Sequence, residues 1–373
     1  MGDAIKILHI ASGDVWGGAE SQLYGLLCAI SKDSGFESAV ITLNRGLLTN
    51  RFSDAGIACT VIEERDHNPF QLLRALRLEI DKAAPDIVHT HGYKQNILGS
   101  LAVARKRGIR CVRTQHGDWE IPSRLFSMSA FYRQLDLFSA RFLQDRVIAV
   151  SEALGNALGR RLPRDKIVVI RNGVDTEDLR SRLQSSTLRP PDTNFVIAFV
   201  GRLVPVKRVD LFLQAAALIV GQTARPVRFR VFGDGPLRAE TVALAQKLGI
   251  SEHIEFCGFL PNLAEHLAAC DLLVMTSDHE GLPMILLEAL YMQVPVVAPA
   301  VGGIPEILCE DYGALVDKQT PDAYAEAIKH CMDLGPSLSH SIGRAPAFIE
   351  RHYSAVRQAN AYKEVYQQLL TQA

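Results

Sequence analysis

Cysteine is scarce and irregular in this chain: 7 residues in 373, an odd number, with none in C-x-x-C spacing. That argues against a disulfide framework and a paired-cysteine zinc site, and reduced thiols in a cytosolic protein are expected. An excess of charge is lacking too. Lys and Arg number 40 and Asp and Glu 41, a net charge of −1. Generic nucleic-acid binders carry a strong basic surplus, so nucleic acid is not an expected partner. No apolar run reaches the roughly eighteen residues that a membrane-spanning helix needs. The opening residues Met1–Lys6 show neither the basic start nor the small-residue cleavage site of a secretion signal. Short-period repeats and low-complexity tracts are absent from the sequence as well.

What is present is apolar material in short runs. Hydrophobic residues make up 48%, enough for a core that needs no metal or disulfide to hold it. β-Branched runs at Ile5–Ala11, Ala39–Leu43, Ala58–Ile62, Asp86–Thr90, Cys111–Thr114, Val147–Val150 and Ile167–Ile170 read as buried strands. Helical periodicity fills the gaps, as at Ala19–Ser31, Phe70–Ala83 and Asn96–Lys106. A polar, proline-containing stretch at 184–194 interrupts the rhythm. It resumes with strands at Phe195–Val200, Arg228–Phe232, Ile254–Cys257, Leu272–Thr276, Val296–Ala298 and Ala314–Val316, again separated by helices.

Such alternation predicts βαβ units and parallel sheets covered on both faces. The expected fold is α/β, with two Rossmann-like doubly wound parallel-sheet domains facing a cleft. Expected boundaries are 1–183 for a first domain, 184–194 for a linker and 195–352 for a second domain. A terminal helix is expected over 353–373. Tyr353, Val356, Ala359, Tyr362, Val365, Tyr366 and Leu369 give that helix an apolar face. Periodicity leaves open whether it caps its own domain or crosses back to the first.

Charge is uneven along the chain. Residues 1–190 hold 26 basic and 21 acidic residues, and 191–373 hold 14 and 20. The surplus concentrates in 94–171, with 15 basic against 6 acidic residues, including Arg105, Lys106, Arg107 and Arg110. A basic face of this kind suits an anionic acceptor or anionic lipid, and also suits an ordinary solvated surface.

Ligands of open parallel sheets bind beyond the carboxyl ends of the strands, so the post-strand segments carry the chemistry. After the first strand, Gly17-Gly18 precede a helix. They would let backbone N–H groups approach a phosphate or sugar, or simply form a tight turn. The spacing is not G-x-G-x-x-G, so a dinucleotide site is not indicated. After Val200, Arg202 and Lys207 lie five apart on a loop, where a guanidinium fork and an ammonium can both reach a diphosphate. In 277–306, Gly281 and Pro283 open a helix whose first N–H groups form an anion site. Glu280 and Glu288 flank that helix start, and a carboxylate can accept two bonds from paired sugar hydroxyls.

Glu280-Gly281-Leu282-Pro283 through Glu288, followed by Pro295-Val296-Val297-Ala298 and Gly302-Gly303, resembles the retaining GT-B glycosyltransferases of family 4, the group 1 glycosyl transferases. Support comes from Gly17-Gly18-Ala19-Glu20, Val88-His89-Thr90-His91, Gln115-His116-Gly117, Asn172-Gly173-Val174-Asp175, Gly201-Arg202-Leu203 with Lys207, and Gly233-Asp234-Gly235-Pro236. The likeness covers nearly the whole chain. One departure is Gln293, where the family usually has glycine.

The resemblance implies that the second domain binds a nucleotide sugar. Glu288 would hold the ribose hydroxyls, and Arg202 and Lys207 would neutralise the diphosphate in place of a metal. Glu280 would contact the transferred sugar. Backbone amides of Gly281, Leu282, Pro283, Met284 and Ile285 would line the pocket, with the nucleobase near Phe259 and Leu260. Pro283 has no N–H to give and would serve by its shape. His116 would reach the reacting sugar and Gly17 and Gly18 the phosphates. No cofactor or metal is expected, the nucleotide sugar being a substrate.

The implied partners are a UDP- or GDP-sugar donor, a glycan or lipid-linked acceptor in cell-surface polysaccharide or glycolipid synthesis, and an anionic membrane surface. The implied location is the cytoplasm, peripheral on the inner face of the membrane. A transferase making a small soluble glycoside would use the same donor site. A non-catalytic nucleotide-sugar sensor is set apart by having no need of Glu280, Arg202 and Lys207 together.

Overall fold

The structure, a computed structural model, describes residues 4–14, 16–117, 128–185, 194–223, 225–260 and 263–371. It divides into two units, Met1–Gly173 with Ala355–Ala373, and Val174–Ser354.

The first unit is built on a seven-stranded sheet of β1 (Ile5–Ala11), β2 (Phe36–Thr42), β3 (Ala58–Val61), β4 (Ile87–His91), β5 (Arg110–Gln115), β6 (Arg146–Ala149) and β7 (Ile167–Val169). The strand order is β3-β2-β1-β4-β5-β6-β7, and every pairing is parallel. Period-two alternation explains how it is covered. Ile7, Ile87, Val112 and Ile148 enter one apolar cluster, while Leu8, Ile10, Val88 and Cys111 enter another. Helices begin where the sequence provides a start. At Pro69–Ala83, Asn68 accepts hydrogen bonds from the Phe70 and Gln71 N–H groups, and the Gln71 side chain accepts from Asn68 N–H.

The second unit holds a six-stranded sheet of β8 (Phe195–Val200), β9 (Val227–Phe232), β10 (Ile254–Gly258), β11 (Leu272–Val274), β12 (Val296–Pro299) and β13 (Gly313–Val316). The order is β10-β9-β8-β11-β12-β13, again all parallel. In each sheet the order reverses beside the first strand, β1 or β8, which is the topological switch point where ligand sites form.

Two boundaries differ from the sequence expectation. The units part at Gly173/Val174, upstream of the expected 183/184, because the helix Thr176–Ser185 packs on the helices Leu263–Ala268 and Met284–Tyr291 of the second unit. The polar stretch at 184–194 marks the end of that helix; its residues 186–193 lie outside the described residues. At the other end, the helical run is broken into Pro321–Ile342, Ala345–His352 and Ala355–Thr371. The last of these belongs to the first unit, where Ala359, Tyr362, Val365, Tyr366 and Leu369 join the cluster around Ile7 and Ile87. Tyr353 stays with the second unit and Val356 is exposed, so the apolar face is shorter than the periodicity suggests. Among the described residues no helix is long and apolar enough to cross a membrane.

Candidate active site

The loop that follows β8 turns through Pro205–Lys207 and reaches Arg208 in a left-handed conformation, φ 48°. The segment after β11 holds it there. Thr276 Oγ1 donates to the carbonyls of Lys207 and Arg208, both at 2.9 Å, and Asp278 N–H donates to Val206 O at 2.9 Å. Arg208 forks onto Asp210, at 3.0 Å from both Nε and Nη2, and its Nη1 reaches Asp278 at 3.1 Å.

With the turn fixed, Lys207 Nζ lies 2.6 Å from Glu280 Oε1. Arg202, on the same loop, is exposed, and among the described residues no carboxylate pairs with it. Thr276, Arg208 and Asp278 do not stand out in the sequence as site residues. Their signal was faint: a second arginine directly after Lys207, and an aspartate two residues before Glu280.

Glycine permits the close packing of these loops. A Cβ on Gly302, φ +55°, would lie 1.8 Å from Glu280 O, and Gly303 N–H donates to Gly281 O at 2.7 Å. The backbone after β12 therefore presses directly on the backbone carrying Glu280. Gly233 plays the same part beside Gly201, where a Cβ would meet Gly201 O at 2.0 Å.

The helix Met284–Tyr291 starts just beyond Glu280, after Pro283. No side chain caps it and its first turn holds no acidic residue. The positive end of its dipole, about half an elementary charge, is thus not neutralised locally. Gly281, Leu282, Pro283 and Met284 are buried and Ile285 partly so. Further along the same helix, burial pushes the Glu288 carboxyl up to about 7. Arg182 draws it down and Asp178 pushes it up; these two pair with each other at 2.8 Å. Phe259 and Leu260 follow the end of β10, and Phe259 is about half exposed.

In the first unit, Gly18 opens the helix Gly18–Ile30 after Gly17, and the Glu20 carboxylate accepts the Gly17 N–H at 3.1 Å. That start already holds an anion of its own. His116 follows β5. Its Nε2 is 3.3 Å from His91 Nδ1, and His91 Nε2 is 3.1 Å from His9 Nδ1. His89 bonds Tyr366 OH at 2.7 Å and Thr114 Oγ1 at 2.9 Å.

Burial lowers all four imidazoles, His9 to about 3, His116 to about 4, and His89 and His91 well below the ordinary value, so they are neutral near pH 7. Among the described residues, His9 Nε2 and His116 Nδ1 have no hydrogen-bond partner. Ring nitrogens of His9, His89 and His91 come within 4.8 Å of one another, the one group among the described residues with metal-ligand spacing. Both nitrogens of His89 and of His91 are nonetheless engaged in hydrogen bonds. His89, His91 and His116 are legible in the sequence near strand ends, but His9, inside β1, is not. Parallel register places His9 opposite His89, which the sequence does not reveal.

The model of Glycosyltransferase Family 4 matches residues 16–178 and that of Glycosyl transferases group 1 matches residues 181–346. A UDP-Gal:alpha-D-GlcNAc-diphosphoundecaprenol alpha-1,3-galactosyltransferase of Escherichia coli is 28% identical over 271 residues, 68% of each chain. A GDP-mannose-dependent alpha-mannosyltransferase of Mycobacterium tuberculosis is 28% identical over 312 residues, 77% of this chain and 76% of its own. The crystal structure of Anabaena HepE in complex with UDP and glucose superposes with a TM-score of 0.83 at 22% identity, covering 98% of this chain and all of the other. A family 4 match over the first unit, a group 1 match over the second and the shared two-sheet fold together identify this chain as a member of the group 1 glycosyltransferases, of GT-B fold.

Proposed function

We propose that the chain is a retaining glycosyltransferase that moves a sugar from a UDP- or GDP-sugar to a glycan or lipid-linked acceptor, in cell-surface polysaccharide or glycolipid synthesis. The observation that carries this is the Lys207–Glu280 pair, at 2.6 Å, next to an uncapped helix start and on the same loop as the exposed Arg202. In this reading Arg202, Lys207 and the helix dipole supply positive charge for a diphosphate, and Glu280 serves the sugar. The relatives support the donor and acceptor classes through what they use: UDP-galactose with a lipid diphosphate acceptor in one, GDP-mannose in the other.

In this reading the bond between the anomeric carbon and the diphosphate oxygen breaks, leaving positive charge on the sugar ring and negative charge on the leaving oxygen. Arg202 and Lys207 oppose the second charge, and the amides of Gly281, Leu282, Met284 and Ile285 solvate the phosphate. Glu280 has one oxygen held by Lys207 and the other available to sugar hydroxyls. The acceptor oxygen attacks on the face the diphosphate leaves, giving retention, and its proton passes to the departing phosphate. Glu280 is then a binding group and not a covalent nucleophile. Glu288 accepts the ribose hydroxyls and Phe259 and Leu260 flank the base. A role in the transfer step is proposed for His116, acting as a neutral imidazole, and a phosphate contact for Gly17 and Gly18.

Protein cations take the place of a divalent metal. The test is donor hydrolysis across UDP-, GDP- and ADP-sugars in chelator, with the product anomer read by NMR. Turnover of one donor class with retained configuration supports the proposal. Dependence on added manganese or magnesium, or an inverted product, overturns it.

The acceptor is proposed to be membrane-borne, with the enzyme peripheral on the cytoplasmic face. The surplus of basic residues over 94–171 supports this. Among the described residues five of them are already matched, Lys94 by Glu64, Lys106 by Asp81, Arg110 by Asp145, Arg113 by Asp136 and Arg171 by Glu152, while Arg105 and Arg107 are exposed. Binding to anionic vesicles that weakens steeply with salt is the expected behaviour. Equal binding to neutral vesicles, or none, would favour a small soluble acceptor.

A further inference from the structure

The helix Met128–Phe142 is inside out. Its Asp136 and Ser139 are buried, whereas Met128, Phe131, Phe138 and Phe142 are among the most exposed large apolar residues described. The buried polar residue has a specific partner. Asp136 Oδ2 accepts from Arg113 Nη1 at 2.8 Å, both side chains being fully buried. Breaking a buried ion pair strands a charge and is strongly destabilising, so this contact fixes the rotation of the helix about its axis. With Asp136 turned inward, Phe138, about 160° from it around the axis, turns outward, and the ring positions beside it follow. At about 100° per residue, Met128, Phe131, Leu135, Phe138 and Phe142 fall within a stripe about 80° wide. Phe138 and Phe142 stack at 5.0 Å between centroids.

This stripe borders a groove of about 500 Å³, whose lining includes Arg141 and Arg161 beside the three phenylalanines. Lys166 Nζ donates to the carbonyls of Arg141 and Gln144, at 2.7 and 2.8 Å, at the end of the helix. Arg160 and Arg164 are exposed on the neighbouring segment. Aromatic side chains in a row, flanked by cations and free of carboxylates on the apolar stripe itself, match the interfacial zone of a bilayer. Rings enter the acyl boundary there while guanidinium groups meet phosphates. A contiguous exposed apolar patch with a polar rim marks an interaction surface. The cationic rim selects an anionic lipid surface as its occupant.

We propose that the outward face of helix Met128–Phe142 inserts into the headgroup region of an anionic bilayer, with Phe131, Phe138 and Phe142 as the inserted rings and Arg141 and Arg161 on the phosphates. The proposal rests on the membrane-borne acceptor reading and gives it a defined contact, distinct from the basic residues at 105–107.

The test uses the full chain and vesicles of phosphatidylglycerol or phosphatidylcholine. The triple substitution Phe131→Ser, Phe138→Ser, Phe142→Ser should weaken sedimentation with phosphatidylglycerol vesicles at least tenfold, about 1.4 kcal/mol, and leave donor hydrolysis in vesicle-free buffer unchanged. Should the triple variant not fold, Phe138→Trp alone decides. The indole emission this variant adds to that of the wild type should shift to the blue on phosphatidylglycerol vesicles and be quenched by brominated acyl chains. Unchanged binding by the triple variant, or added emission from Phe138→Trp that ignores vesicles to which the protein is bound, overturns the proposal. So does a wild-type dimer, seen by light scattering, that the triple variant converts to monomer, since a second copy would then occupy the face. Absence of donor hydrolysis in the wild type would instead overturn the transferase reading, independently of the vesicle result.

Discussion

The ammonium of Lys207 lies 2.6 Å from Oε1 of Glu280, although 73 residues separate them in the chain. Glu280 is nearly buried and Lys207 about three-quarters so. The pair joins the loop after β8 to the one after β11. Arg202 makes no comparable contact with a carboxylate among the described residues, so the two cations should behave differently on removal.

Lys207→Ala leaves the Glu280 carboxylate unpaired and should cost about 2 kcal/mol of stability as well as catalysis. Arg202→Ala, at an exposed position, should leave the melting temperature nearly unchanged. Both should lower kcat by about 10²-fold or more, because both are proposed to act on charge that grows as the bond breaks. Steady-state kinetics beside thermal melts separates the cases. Unchanged kcat in both variants would refute the diphosphate assignment.

Gly302→Ala should be among the most damaging single-methyl additions in the second unit. The new Cβ would lie 1.8 Å from Glu280 O at a left-handed φ of +55°. The backbone under Glu280 has to move, so stability should fall by at least about 2 kcal/mol and kcat with it. Gly56→Ala is the control. Its φ is +70° but no atom lies within 4 Å, so it should cost about 1 kcal/mol from backbone strain alone. Equal melting shifts in the two variants would mean that the close backbone contact is not present in solution.

Gln293 occupies the position after the helix Met284–Tyr291 with φ 60°, where the family usually has glycine. Left-handed backbone costs a non-glycine residue about 1–2 kcal/mol. Glycine gives back part of that through unfolded-chain entropy, about 0.4–1 kcal/mol. Gln293→Gly should therefore stabilise the protein by about 0.5 kcal/mol, measured by denaturant unfolding. A loss of stability would show that the glutamine side chain holds the turn.

Glu288 titrates upward, to about 7 against an ordinary 4.5, chiefly through burial. The folded chain then holds this proton between pH 4.5 and 7 while the unfolded chain has released it. The contribution of this group to stability therefore falls as pH rises through that window and is level above it. Ionisation of the folded group around pH 7 should strengthen binding of the nucleoside diphosphate, because the carboxylate accepts ribose hydroxyls better than the acid does. Glu288→Gln should flatten both dependences. Unfolding curves and calorimetric titration with UDP or GDP from about pH 5 to 8 would show it, and an unaltered pH profile in the variant would remove Glu288 from the nucleoside site.

Local patterning was enough to find the strands, because buried parallel strands are short β-branched runs between helical repeats and each run carries its own signal. It also singled out Lys207 and Glu280, which the fold brings together, since the residues that follow strands are the ones a parallel sheet presents to ligands. Contacts set by register and by packing were not legible. His9 comes opposite His89 only because β1 pairs with β4. Arg208 reaches Asp278 only because the loops after β8 and β11 share one end of the sheet.

The C-terminal helix reads as amphipathic in sequence, but its apolar face has no address. Its burial against Ile7 and Ile87 of the first unit was decided by the tertiary structure, through the hydrogen bonds of Tyr362 with Thr114 and Tyr366 with His89. The same holds for Met128–Phe142. Hydrophobicity alone would bury its phenylalanines. The Arg113–Asp136 ion pair, closed at 0% exposure, turns them outward, because leaving either charge unpaired in the core costs more than exposing three rings.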